Sequence, residues 1–306
     1  MPGKLGPNSR GRPGDKTPVI GVGFQHGLQL VVGMGQRPGS LFRFPSALRP
    51  ECNRIMVPMT ELPAVPPARA LTRDEVRQVD VTALTEFGLP GVVLMENAGR
   101  GAAQLLLAQR PRGPVLVCAG KGNNGGDAFV LARYLDLAGV PVELLTCVPP
   151  ESQSADAAVF RQVAERAGLT SHAWPGPGWT PPASNAPSRT QVANAAHPPG
   201  IDFARFEWIV DGLLGTGARG VPGPELAALI LALNDSGRPL FALDLPSGLD
   251  CDTGNPPGVC IRATLTATFV APKIGFSAPG ANHWLGQVEV IDIGIPRALR
   301  ERVLRP

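Results

Sequence analysis

From Leu71 to the end of the chain, apolar positions alternate between helical stripes and short continuous runs. Thr72 followed three residues on by Glu75 is a capping-box start, and Val76, Val79 and Leu84 continue it at helical spacing. A turn at Gly88–Gly91 breaks that pattern. A second helix is predicted from about Val92 to Gln109, its Ala98, Gly99, Gly101, Ala102 and Ala103 allowing close packing. Val115–Cys118 is then apolar throughout, as a strand buried on both faces must be. It ends in a glycine-rich turn, followed by a helix over about 128–138, a strand at 142–147 and a helix over about 154–167. The alternation resumes with a strand at 206–210, a helix near 224–234, a strand at 240–243 and further strands near 264–270 and 287–291. Strand–helix alternation of this kind predicts an α/β fold, with a mainly parallel sheet covered by helices on both faces.

Composition changes the picture at two places. The chain's 37 glycines and 34 prolines crowd into residues 1–67 and 174–200. The first stretch, acid-poor and without periodicity, reads as a disordered extension, either a targeting segment or sequence upstream of a start near Met56 or Met59. The second reads as a surface insertion within a single domain spanning 68–306. A formal net charge of +3 is too small to argue for nucleic acid, and no apolar run approaches the roughly 20 residues that cross a bilayer. Five cysteines and four histidines, scattered and never in ligand spacing, argue against zinc and disulfides and for a reducing, cytoplasmic setting.

The chemistry concentrates where strands end. Gly120-Lys-Gly-Asn-Asn-Gly-Gly-Asp127 follows the first strand and opens a helix, so its backbone N–H groups and the helix dipole suit an anion. A bare glycine turn also serves as a tight connection. Asn123, Asn124 and Asp127 add two amides and a carboxylate that such a connection does not need. The spacing is neither the dinucleotide fingerprint nor a Walker loop, which argues against an ordinary NAD(P) dehydrogenase. Asp211, ahead of Gly215-Thr-Gly-Ala-Arg-Gly220, and Asp244, ahead of Ser247 and Gly248, repeat the arrangement of an acid at a strand end followed by glycines. In a parallel sheet these turns converge on one edge. Asp250 and Asp252 read as turn-capping residues, and Lys273 as a loop lysine near the rim with a phosphate contact open to it.

Together, Leu94-Met-Glu-Asn-Ala-Gly99, Gly122–Asp127, Val210-Asp211 with Gly215–Gly220, and Asp244-Leu-Pro-Ser-Gly248 resemble the NAD(P)H-hydrate epimerases, the YjeF N-terminal domain family, over about residues 70–300. The resemblance implies a Rossmann-like three-layer α/β/α sandwich. It also implies an isomerase that interconverts the R and S hydrates of NADH and NADPH, so that an S-specific dehydratase can restore the cofactor. Carried over by position, Asn123, Asn124, Gly125, Gly126 and Asp127, with Gly215, Thr216, Gly217, Ala218, Arg219, Gly220 and Val221, would bind the hydrated dinucleotide together with Asp244. Asn124, Asp211 and Ser247 would hold one potassium ion per subunit. Two departures are Ala128, where the family commonly has glycine, and the 174–200 insertion. With no dehydratase region after the last strand, the partner dehydratase is expected on a separate chain, and the resemblance suggests a homodimer. The C6 hydroxyl of the hydrate would leave with a proton from a carboxyl group, expected to be Asp244, with Asp127 second. The competing reading is a non-catalytic scaffold domain of the same type.

Overall fold

Val115–Ala119 (β1) is apolar at every position because it lies at the centre of a sheet covered on both faces. In the computed structural model, residues 69–175 and 201–304 are described. Within them β1 is joined by β2 (Val142–Thr146), β3 (Thr170–Ala173), β4 (Trp208–Gly212), β5 (Leu240–Leu243), β6 (Leu265–Phe269) and β7 (Gln287–Ile291). The strand order is β3-β2-β1-β4-β5-β6-β7, and every neighbouring pair is parallel. Strand exposure grows toward the edges: β1, β5 and β6 are wholly buried, whereas β3 and β7 carry Thr170, Ser171, Gln287 and Glu289.

The period-2 alternation of side chains sorts β1 between two cores. Val115, Val117 and Ala119 face one layer with Leu94, Ala98, Phe129 and Leu131. Leu116 and Cys118 face the other with Phe203, Phe206, Leu229 and Leu233. The first layer is built from α1 (Arg73–Phe87), α2 (Gly91–Ala108), α3 (Asn123–Leu137), α4 (Ala155–Arg166) and, after β7, α7 (Arg297–Leu304). The second is led by α5 (Pro224–Asp235); a short α6 (Asn282–Leu285) precedes β7. The expected three-layer α/β/α sandwich is what forms, and its sheet is parallel throughout.

Thr72 caps α1 as its spacing predicts: it accepts from the Glu75 N–H, and Glu75 accepts from the Thr72 N–H at 2.8 Å. Three features depart from the sequence reading. First, α3 begins at Asn123, not near 128, so Asn-Asn-Gly-Gly-Asp is the first helical turn rather than a loop. Glycine disfavours helix interiors, but packing overrides that preference here. A Cβ on Gly126 would lie 2.3 Å from Met95 Sδ, and one on Gly125 would lie 2.1 Å from the Gly120 carbonyl oxygen. Second, β3 and α7 lack the apolar runs that mark the other elements, β3 because it is a short edge strand and α7 because only Leu299 is buried. Third, the chain stays in the core through Trp174, which is 3 % exposed and donates from Nε1 to the Glu225 carbonyl at 3.0 Å. The extension expected at 1–67 and the rest of the insertion lie outside the described residues.

The small residues of α2 have the expected purpose. A Cβ at Gly99 would fall 2.4 Å from the Val130 Cβ and 2.6 Å from the Asp127 carbonyl oxygen, on the first turns of α3. Gly99→Ala should therefore cost roughly 1–3 kcal/mol by overpacking. Urea denaturation measures it, and a wild-type midpoint would show that α2 and α3 can separate without penalty.

Candidate active site

The chain runs outward from β1 to β3, then returns to β4 on β1's other side, so the strand order reverses between β1 and β4. Parallel sheets bind ligands beyond the carboxyl ends of their strands at such a reversal. Asp211 stands in that place, registered beside Cys118 of β1 and Ala242 of β5. It is fully buried. Its Oδ1 accepts from the Ser247 hydroxyl at 2.6 Å and from the Leu213 N–H at 3.2 Å, and its Oδ2 accepts from the Ser247 N–H at 2.8 Å. Burial pushes the carboxyl up to about 6 against the pull of these hydrogen bonds. Ser247 in turn accepts from the Leu214 N–H at 2.9 Å, which ties the turn after β4 to the turn after β5.

Asn124, on the first turn of α3, completes this node. Its Nδ2 donates to the Leu214 carbonyl at 2.8 Å, whereas its buried Oδ1 meets no donor among the described residues. A buried amide oxygen without a partner is costly. Beside a buried carboxylate that no side-chain cation among the described residues pairs with, it is also a ready oxygen ligand for a hard cation. No cluster of three or more His, Cys, Asp or Glu that could hold a metal occurs among the described residues, so the donor set here is mixed: amide, carboxylate, hydroxyl and carbonyl oxygens.

One strand over, Asp244 follows β5 with φ +66°, and the Leu245 N–H bonds back across it to the Leu243 carbonyl at 2.8 Å. This is a γ-turn with positive φ, a strained form. The same device recurs after β6, where Val270 has φ +69° and the Ala271 N–H reaches the Phe269 carbonyl at 2.8 Å. A β-branched residue in that region is a genuine outlier. The two turns bring Asp244 and Lys273 together, with Lys273 Nζ 2.8 Å from Asp244 Oδ1. Lys273 is completely buried, and its Nζ also donates to the Phe269 carbonyl at 3.0 Å. The expectation of a rim lysine is thus corrected: the turn after β6 folds its side chain inward, where only an ion pair makes a buried ammonium tolerable. The other oxygen of Asp244 accepts from the Thr216 N–H at 3.0 Å.

Asp127 has no such partners. It is 7 % exposed, and no donor among the described residues reaches its carboxyl group. Burial, then Asp244, then Asp80 push it well above the usual carboxylate range. Asp80 of α1 belongs to the same electrostatic group: dense surroundings, then Asp244, raise it to about 6 while Lys273 opposes. Its residue is open to solvent, which screens part of that effect. Asp80 went unread in the sequence, and Lys273 was read only as a rim lysine with a phosphate contact open to it. Lys273 gave a signal, because it follows an apolar strand closely, as the acids do. Asp80 gave none beyond a polar position beside the buried Val79.

The 215–221 loop arches over these groups. A Cβ on Gly215 would touch the Asn124 Cβ at 3.2 Å and Asp244 Oδ2 at 3.4 Å, so the loop lies directly on both. Arg219 and Val221 project to solvent at its rim, and Arg219 meets exposed Asp74 only at 3.9 Å. Asn123 is exposed and accepts from the Ser154 hydroxyl at 3.2 Å. Asp250 caps its turn as expected, accepting at Oδ1 from the Asp252 and Thr253 N–H groups; both Asp250 and Asp252 also pair with Arg73.

Residues 91–275 match the family model described as YjeF-related protein N-terminus. The NAD(P)H-hydrate epimerase of Pirellula staleyi is 42% identical over 235 residues, covering 77% of this chain and 96% of that protein. The chain belongs to the YjeF-related N-terminal family. Another member, the NAD(P)H-hydrate epimerase of Rhodopirellula baltica, is 37% identical over 86% of this chain and 97% of its own length. A bifunctional NAD(P)H-hydrate repair enzyme of Moorella thermoacetica is 35% identical, and this chain matches 41% of that protein. In fold, the YjeF-related domain resembles the crystal structure of yeast ynu0 (YNL200c), with a TM-score of 0.61 at 19% identity over 77% of this chain and 93% of that one. No helix among the described residues is long and apolar enough to cross a membrane.

The Asp211 node makes a direct prediction. Asp211→Ala strands the Ser247 hydroxyl and two buried N–H groups, which should cost roughly 2–5 kcal/mol. Chemical denaturation with unchanged stability would show that water replaces the carboxylate.

Proposed function

We propose that this protein epimerises hydrated NADH and NADPH, interconverting the R and S forms so that an S-specific dehydratase on another chain can return both to the reduced dinucleotide. The observation that carries the reading is Asp127, a buried carboxyl without donors among the described residues, beside an Asp244–Lys273 ion pair at the strand-order reversal of a YjeF-related domain. The names of the full-length relatives favour an enzyme over a scaffold, and the bifunctional relatives support a dehydratase as functional partner.

In this reading the first turn of α3, whose Asn123 and Asn124 N–H groups face outward, and the backbone of Gly215–Val221 receive the dinucleotide phosphates. Asp244 touches the substrate and holds the loop, but both its oxygens already accept, one from Lys273 and one from Thr216. A carboxylate so committed is a poor proton donor. We therefore place the proton on Asp127, reversing the order expected from sequence. Burial and the neighbouring Asp244 favour the protonated form of that carboxyl. Its proton passes to the C6 hydroxyl, the C–O bond breaks with its electron pair leaving on water, and the ring-nitrogen lone pair forms the C=N bond of a planar cation. Water then adds to the opposite face and gives up a proton to solvent, and the Asp127 carboxylate regains a proton from solvent.

A potassium ion fits beside the unpartnered Asn124 Oδ1, with Asp211 and Ser247. When bound it supplies a positive charge against the buried Asp211 carboxylate.

Mixed with an S-specific dehydratase and racemic hydrate, the wild-type chain should carry the reaction to completion. Asp127→Asn should stall it once the S form is consumed, with kcat lowered at least about a hundredfold. Wild-type turnover by that variant would move the proton elsewhere. Because the acid is the protonated form of a group whose pKa is raised, activity should fall as pH rises through that pKa. Potassium chloride should raise Tm above that in tetramethylammonium chloride, and Asn124→Ala should abolish the difference; equal responses would exclude the cation site.

A further inference from the structure

Arg73 is the first residue of α1, where a cation opposes the helix dipole. It is nevertheless 2 % exposed, so something outside the helix must account for its burial. Its guanidinium reaches three groups on two other segments. Nη1 donates to the Ala218 carbonyl in the middle of the glycine loop. Nη2 donates to Asp250 Oδ2 at 2.6 Å, and Nε lies 3.4 Å from Asp252 Oδ2. The Arg73 backbone N–H donates to Asp252 Oδ1 at 2.8 Å. Two residues earlier, Leu71 bridges to Lys273, donating to the Pro272 carbonyl and accepting from the Ile274 N–H, each at 2.9 Å. The start of α1 therefore holds the loop after β4, the turn after β5 and the turn after β6 at one point.

The loop needs that hold. Gly215, Gly217 and Gly220 leave its backbone unusually free, with Gly220 at φ +76°, and a Cβ on Gly217 or Gly220 would meet nothing. Beyond an internal turn from the Ala218 N–H to the Gly215 carbonyl and the exposed Arg219–Asp74 contact, two hydrogen bonds anchor it among the described residues: the Thr216 N–H on Asp244 and the Ala218 carbonyl on Arg73. The first is held by the ion-paired Asp244 carboxylate, the second by the guanidinium at the start of α1.

We infer that Arg73 is a positioning residue, latching the 215–220 loop from outside the cleft into the shape that receives the dinucleotide. The inference rests on the function proposed above for that loop. Releasing the latch leaves Asp127, Asp244 and Lys273 in place but makes each substrate molecule order the loop as it binds, so the loss falls on binding rather than on chemistry.

The test uses the full chain with Arg73→Met and, approaching the same contact from the other side, Asp250→Asn, which keeps the folded turn should the first variant fail to fold. Epimerisation of purified R hydrate is followed with excess dehydratase, and trypsin cleavage of the Arg219–Gly220 bond is followed by mass spectrometry. The expected result is a KM raised about tenfold or more with kcat within about threefold, and cleavage after Arg219 at least about tenfold faster. Unchanged KM and cleavage in a folded variant, or a fall in kcat at constant KM, would overturn the latch. If the wild-type chain does not epimerise, the proposed function fails, while the cleavage rates still decide whether Arg73 holds the loop.

Discussion

The Asp211 carboxylate is completely buried, and no lysine or arginine side chain lies against it among the described residues. A charge in that position is held only if donors are fixed around it in advance. Meeting that requirement sets the local backbone: Leu213 and Ser247 must turn their N–H groups inward, and Leu214 must lie against both Ser247 and Asn124. One carboxylate thus dictates how the loops after β4 and β5 leave the sheet, and how near the first turn of α3 approaches them. The glycines at 120, 125 and 212 follow from the same demand, because a Cβ at any of them would strike neighbouring backbone or side chain within 2.6 Å.

A second buried charge is solved differently. Lys273 brings its own counter-ion, Asp244, and the pair leaves Asp127 as the carboxyl of the group with nothing to neutralise it except a proton. Like charges sharing a small volume cannot all ionise, so the fold separates the roles of its acids by the partners each is given. Asp211 receives hydrogen bonds, Asp244 an ammonium, and Asp127 neither.

The elements legible in the sequence were those whose burial leaves a periodic trace. β1, β5 and the helix over 224–235 carry continuous or striped apolar residues, and the Thr72–Glu75 pair marks the start of α1 locally. The acids at strand ends were legible because an acid closing an apolar run is not explained by the burial that the run itself requires. What escaped depends on long-range contact. The start of α3 was obscured because its glycines contradict helix propensity and make sense only against Met95 and Gly120. Lys273 read as a rim cation and Arg73 drew no reading, because their partners lie 29 and 177 residues away, at Asp244 and Asp250. Asp80 is one polar residue among several on α1, and only the three-dimensional grouping sets it apart.

The two γ-turns after β5 and β6 carry a further consequence. Asp244 and Val270 hold backbone angles that an L-residue adopts only at a cost of order 1–3 kcal/mol each. Glycine at Val270 would relieve that strain at a position where the side chain is only partly buried. Glycine there keeps the bend that presents Lys273 to Asp244 while removing its steric cost. The strain at Val270 can thus be relieved without moving Lys273, whereas Asp244 cannot be exchanged without losing the ion pair.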